Sequence, residues 1–184
     1  MSSQLPVGSI RHLEKYANDN YDTLQLSFAC MPENLKLGQA IKAFKDPDRV
    51  VVGVRSEKSK VKLLEFLRPI TDKIEWMSIE SAEMTKHAIN SFLATSVVFA
   101  NEIAAICEMV GADAKEVGRG LKSESRIGPK AYLSPGAAFA GGTLARDIQF
   151  LNQLANDSGC KIPLLSSVRP SNDQHRNWVR RHLL

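Results

Sequence analysis

The chain has 184 residues, 43% of them hydrophobic and 24% charged, the composition of one folded domain or two small ones and not of a disordered or low-complexity segment. Its net charge of +4 is too small to mark the whole surface for nucleic acid. No uninterrupted apolar run approaches the roughly 18 residues of a membrane span and no signal-peptide pattern opens the chain, so a cytoplasmic setting is expected; Cys30, Cys107 and Cys160, odd in number and unpaired in spacing, fit a reducing compartment.

Residues 5–18 open on Pro6 and Gly8 and continue through Ile10, Leu13 and Tyr16 at helical spacing, predicting a turn and a short helix. Residues 23–29, TLQLSFA, alternate as a strand does and run into Cys30, Pro32 and Glu33. Helical spacing returns over 34–44 through Leu35, Leu37, Ala40, Ile41 and Phe44, and Pro47 marks a turn. RVVVGV at 49–54 is the kind of β-branched run that parallel sheets bury. An amphipathic helix over 56–67 and a strand over 74–79 complete the order strand, helix, strand, helix, strand, after which only helices are predicted. The pattern is a partial α/β unit leading into an all-α region, with the boundary near Ser78.

The longest element is 80–110, free of proline and glycine. Ile89, Leu93, Val97, Ala100, Ala104, Cys107 and Val110 recur at spacings of three and four, and Phe92, Phe99, Ile103 and Ile106 widen the face. At about 1.5 Å per residue such a helix spans roughly 45 Å. That exceeds what a domain of this size needs for its own core, so part of the apolar face is expected to meet a partner subunit. Lys86 and Asn90 share one face of it.

Gly111 stops that helix and a short one follows over 112–121. The stretch 126–147, RIGPKAYLSPGAAFAGGTLARD, differs in kind: Gly128, Gly136, Gly141 and Gly142, with Pro129 and Pro135, turn the backbone sharply and let it approach a ligand. Helical patterning resumes from Leu144 to Asp157, Gly159 breaks it, and Pro163 starts a helix that is predicted to run to the end. There Arg169, Arg176, Arg180 and Arg181 form either a solvated helix face or a patch for an anionic ligand or nucleic acid. His12, His87, His175 and His182 lack metal-ligand spacing and read as surface residues. Gly118 and Gly120 are followed by Ser123 at the third glycine position and preceded by a helix, which excludes a dinucleotide fingerprint there.

PVGSIR at 6–11, PENLKLGQAI followed by DPDRVVVG, ESAEMTKHAINSFLAT followed by NEIAAICEMVGAD, RIGPK, and AFAGG leading into ARD succeed one another along almost the whole chain. In these segments the chain resembles the nucleotide-sugar dehydrogenases, the family of UDP-glucose 6-dehydrogenase and its UDP-N-acetylmannosamine and GDP-mannose relatives. The resemblance implies NAD as cofactor, a UDP-sugar as substrate and a homodimer formed through the long helix. It further implies that 1–78 is the latter part of an NAD-binding Rossmann-like domain and 79–184 the helical central domain. The Gly-rich dinucleotide loop and the C-terminal nucleotide-sugar-binding domain are then expected to be absent from this chain.

Carried over position by position, the resemblance gives Glu33 the handling of water and protons, with Leu35 beside it as a substrate contact. Lys86 and Asn90 would hold the developing oxyanion. Arg126 would reach a neighbouring subunit's substrate, and Tyr132, Leu133, Phe139 and Gly141 would enclose the substrate. Gln4 and Arg146 fall on cofactor contacts, and Asp147 on the catalytic aspartate. The chemistry of the residues agrees, since an ammonium and an amide donor four residues apart on a helix can point at one oxygen.

Thr143 stands where the family has the cysteine that attacks the aldehyde intermediate. A thiol with a pKa of about 8.5 supplies thiolate, whereas an aliphatic hydroxyl needs a base to activate it. Gln4 replaces a threonine, Leu37 a glutamate, and Ala138 and Ala140 glycines; Cys30, three residues before Glu33, is a candidate replacement thiol. These residues leave three readings. The chain is an NAD-dependent oxidoreductase of a sugar C6 alcohol with an atypical site, inactive by itself; or an altered enzyme that stops at the aldehyde or hydrates it through Glu33 without a covalent intermediate; or a dimerisation module without catalysis, a degenerate paralogue.

Overall fold

The computed structural model describes residues 1–21, 26–33, 35 and 38–183. Contacts group the chain into two units, Met1–Lys86 and His87–Leu184. The first holds α1 (Ser9–Asn20), β1 (Ala29–Cys30), α2 (Ala40–Lys45), β2 (Val50–Val54), α3 (Glu57–Leu67), β3 (Ile74–Met77) and the start of α4 (Ile79–Val110). The protein is therefore mostly helical, with one small sheet and one long helix.

The apolar run of β2 makes it the central strand. β3 pairs with it in parallel, Val50 opposite Ile74 through Gly53 opposite Met77. β1 pairs antiparallel on the other edge, with Ala29 opposite Val54. Among the described residues, only β2, α3 and β3 thus form a parallel crossover unit. Much of the predicted strand 23–29 lies outside the described residues, and Ala29 is its one described residue in β1. The helix predicted over 34–44 begins only at Ala40, because Gly38 has a φ of 78°, left-handed backbone that a helix does not continue through; Leu37 is outside the described residues.

Ile10, Cys30, Val51, Ile79 and Ala82 form the core of this unit, with Leu5, Phe28 and Met77 packed against it. Ser78 starts α4, its Oγ accepting the Ser81 N–H at 3.2 Å, as Ser56 does for α3. One turn on, the buried Glu83 accepts the N–H groups of Gly8 at 2.7 Å and Ile10 at 2.9 Å. A carboxylate placed at the open amides of a helix start is favoured by hydrogen bonding and by the helix dipole, so this contact docks α1 on α4. Outside it, Arg55 bridges Glu14 at 2.9 Å and Glu80 at 2.7 Å. Arg55, aided by Arg11, holds the Glu80 carboxyl down at about 2.

The second unit continues α4 and adds α5 (Ala114–Ser123), α6 (Thr143–Asp157), α7 (Pro163–Arg176) and α8 (Trp178–Leu183). Asp113 caps α5 through the Lys115 and Glu116 amides. Ala94, Val98, Ile148 and Val168 are the core, drawn from α4, α6 and α7. The single last helix of the sequence prediction is broken at Asn177, and Trp178 Nε1 then donates to Glu108 at 2.9 Å.

Although polar residues interrupt it, α4 is long and apolar enough to cross a bilayer by length and composition, which corrects the expectation that no segment qualifies. Its buried residues include Glu83, His87, Asn90 and Asn101. Such side chains need the protein partners they have here, so α4 is built as a core helix.

Gly53 sets how closely β2 meets α4: a Cβ there would lie 2.7 Å from Ala82 Cβ and 2.7 Å from Ile79 Cα. Gly53→Ala is expected to lower stability by about 1–3 kcal/mol through overpacking, seen as a lower urea midpoint. Gly136→Ala, whose added Cβ meets nothing within 4 Å, is the control and should stay near wild type. An unchanged midpoint for Gly53→Ala would contradict the close approach.

Candidate functional site

The apolar periodicity of α6 buries Ile148 and Leu151 and, with them, Asp147, which is 0% exposed. A buried carboxylate is stable only if its lone pairs find donors. Two partners come from α4, three residues apart and so on one face. The Asp147 Oδ1 lies 2.9 Å from His87 Nδ1, and Asn90 Nδ2 donates to Oδ2. His87 also stacks on Phe150, with ring centres 4.4 Å apart and planes at 27°. An ionised carboxylate only accepts, so opposite one the His87 Nδ1 carries the hydrogen.

His87 is thus a correction: predicted at the surface, it is 4% exposed. The sequence did hold a signal, since a histidine three residues before Asn90 must share its face.

Lys86 precedes His87 and is half-buried, one turn before Asn90. Among the described residues Lys86 forms no ion pair. An amide nitrogen carries two hydrogens, so Asn90, with one committed to Asp147, retains a second to donate.

Thr143 is the first residue of α6 and is exposed, one turn before Asp147. At a helix N-terminus a thiol would be activated toward thiolate; a threonine hydroxyl gains no comparable reactivity there. Arg146 is exposed on the same helix.

The glycine-rich stretch before α6 is held by side chains that sequence reasoning did not single out. The buried Asn101 accepts the Gly136 N–H at 2.8 Å, and His175 Nε2 lies 2.8 Å from the Gly136 carbonyl. The buried Asn172 accepts the Phe139 N–H at 2.9 Å and donates to its carbonyl at 3.0 Å. These amides offered no motif; each is a lone polar residue on a buried helix face. Phe139 packs its ring against the core. Leu133 is half-buried, and Tyr132 and Gly141 are exposed. Arg126 is exposed and pairs with Glu124 at 3.0 Å, holding that carboxyl below its usual range.

Gln4, Glu33 and Leu35 belong to the first unit. Gln4 and Glu33 are half-buried, Leu35 is exposed, and Glu33 Oε1 accepts the Leu35 N–H. Cys30 is 1% exposed within the core of that unit. Burial, reinforced by Glu83, pushes its thiol up to about 11. A thiol so placed supplies almost no thiolate at neutral pH and does not suit the part of replacement nucleophile.

Residues 80–174 match the profile of the UDP-glucose/GDP-mannose dehydrogenase family, central domain. The chain is 39% identical over 153 residues to the UDP-glucose 6-dehydrogenase TuaD of Bacillus subtilis, covering 83% of this chain and 33% of that protein. It is 33% identical over 177 residues to the UDP-glucose 6-dehydrogenase of Rickettsia bellii, covering 95% of this chain and 40% of that protein. A UDP-glucose dehydrogenase structure from the archaeon Pyrobaculum islandicum superposes with a TM-score of 0.87 at 26% identity, over 94% of this chain and 40% of that one. The chain therefore spans 33% and 40% of the lengths of these two curated relatives.

Proposed function

The chain belongs to the UDP-glucose/GDP-mannose dehydrogenase family, and from that premise we propose that it forms the central part of an NAD-dependent dehydrogenase of a UDP-sugar, acting on the C6 alcohol through an atypical site. The observation that carries this reading is the buried Asn90–Asp147 bond, with Lys86 one turn earlier on α4. Residues 1–78 would supply the latter part of a Rossmann-like domain, consistent with the parallel β2, α3, β3 unit, and 79–184 the central helical domain.

As the C6 carbon loses hydride, negative charge grows on its oxygen. Lys86 and the second Asn90 hydrogen would meet that charge, the kind of preorganised stabilisation that often supplies the largest catalytic term. Asp147 would keep the Asn90 amide aimed. A bound nicotinamide dinucleotide supplies the hydride acceptor. The exposed Arg146 guanidinium and the Gln4 amide are donors suited to holding its phosphates and hydroxyls. Glu33 would manage the protons and water, and Leu35, Tyr132, Leu133, Phe139 and Gly141 the sugar nucleotide.

Thr143 governs the second oxidation. Without a thiol, the aldehyde has no thiohemiacetal to pass through, so that step should fail. The same residue is what favours a second reading, a dimerisation module that keeps the fold without the chemistry. In the longest natural chain containing these residues, supplied with UDP-glucose and NAD, one NADH per sugar is expected. Two per sugar would mean that another group replaces the thiol, and none would leave the module.

The homodimer is proposed through α4, where Phe92, Phe99 and Ile106 recur every seven residues yet are 71%, 43% and 54% exposed. A continuous apolar stripe of this kind gains by burial against a second copy. Arg126, largely exposed, would then reach across to the partner's substrate. Sedimentation equilibrium of the chain should show a dimer that dissociates on Phe99→Glu; a strict monomer at high concentration contradicts the interface.

A further inference from the structure

We infer that Asn172, together with Asn101, is a positioning residue for the sugar nucleotide: two buried side-chain amides, one on α7 and one on α4, hold the backbone at Phe139 and at Gly136 in the shape that receives it. The inference rests on the reading of this loop as the substrate enclosure and adds to it two residues that do not themselves touch the substrate.

The buried face of α7 runs through Leu165, Val168 and Asn172, at spacings of three and four. Leu165 and Val168 pack apolar groups there, whereas Asn172, 2% exposed, brings an amide to the same face. A buried amide has to find its partners within the protein. It finds both on one residue, accepting the Phe139 N–H at 2.9 Å through Oδ1 and donating through Nδ2 to the Phe139 carbonyl at 3.0 Å. A single hydrogen bond leaves a backbone free to swing about it. A donor and an acceptor side by side fix it in the way a neighbouring strand does. The ring of the same residue packs against the core of Ala94, Val98, Ile148 and Val168. Phe139 is thus held by its side chain and by both of its backbone groups.

Three residues earlier the loop is held again. Asn101, 3% exposed, accepts the Gly136 N–H at 2.8 Å. His175, one turn after Asn172 on α7, meets the Gly136 carbonyl with Nε2 at 2.8 Å, and since a carbonyl only accepts, that nitrogen carries the hydrogen. Ala137 and Ala138 are strung between these two fixed points, and four residues after Phe139 the chain enters α6 at Thr143. A segment made mostly of glycine and alanine has few side chains of its own to define its course; the two anchors supply that definition. Freed from them the loop would sample many shapes, and a ligand that needs one shape binds more weakly in proportion to how seldom it occurs. Once the ligand is bound the reacting groups are unaltered, so binding and turnover separate.

Asn172→Leu keeps the side-chain volume and removes both bonds. In the chain as it stands, the Gly136 and Phe139 amides should be protected against hydrogen exchange, and Asn172→Leu should speed exchange at Phe139 by about 10-fold, the order of one lost hydrogen bond. In the longest natural chain containing these residues, the same substitution should raise KM for UDP-glucose by about 10-fold, as when the binding shape is populated about one-tenth of the time, with kcat little changed. Leu151→Ala, at a buried position of α6, is the packing control: it should lower the urea midpoint and leave KM near wild type.

A Phe139 amide that exchanges freely in the wild type overturns the inference, as does a loss confined to kcat or a KM that Leu151→Ala raises equally. Should Asn172→Leu not fold, Asn101→Ala releases the other anchor and is read on the same terms at Gly136. If the parent chain forms no NADH, the dehydrogenase reading falls and calorimetric binding of UDP-glucose decides the positioning. Binding about 10-fold weaker in the variant supports it; equal affinity, or no binding by the parent, overturns it.

Discussion

Removing a carboxylate from water has an effective penalty of several kcal/mol unless donors replace the hydration it loses. Asp147 is wholly buried, so the second unit is constrained to bring donors to it from both sides of the carboxylate. That requirement ties α6 to α4 at one defined register, because His87 and Asn90 must both face the same pair of oxygens. The apolar contacts of Ala94, Val98, Ile148 and Val168 supply most of the packing. They would tolerate a small slide that the hydrogen bonds do not. Dispersion and burial hold the helices together, while the polar triad selects how they sit.

Each unit has a buried polar anchor on its own part of α4. In the first unit Glu83 accepts the Gly8 and Ile10 amides; in the second His87 lies against Asp147. Each anchor is a buried polar side chain whose partner lies far away in sequence. Each would be expensive to leave unpaired. Within the second unit the loop before α6 is held as well, its Gly136 and Phe139 backbones clamped by Asn101 and Asn172.

Much of this was legible in the sequence where a single period or cap decides the outcome. The α4 helix, the run Val50–Val54 and the helix after Ser56 follow from apolar spacing and cap chemistry. The resemblance singled out Asn90 and Asp147 separately, and their bond to each other is seen only in the structure. What was not legible depends on contacts distant in sequence. His87 shares the face of Asn90, a local signal, but the carboxylate that it meets is sixty residues away and no local pattern reveals it. Asn101, Asn172 and His175 gave no signal, since a lone amide or imidazole on a helix is equally compatible with solvent. The antiparallel edge strand could not be told from a parallel one, because strand direction is set by pairing and not by pattern. Gly53 resembled an ordinary strand residue until the proximity of Ile79 and Ala82 gave its missing side chain a reason.

Whether Asp147 and Asn90 act as one unit is measured directly by a double-mutant cycle in urea unfolding. Asn90→Ala, Asp147→Ala and the double variant should give a coupling of about 1 kcal/mol or more, as directly bonded buried groups do. Free energies that add to within about 0.5 kcal/mol, the behaviour of independent sites, would contradict it.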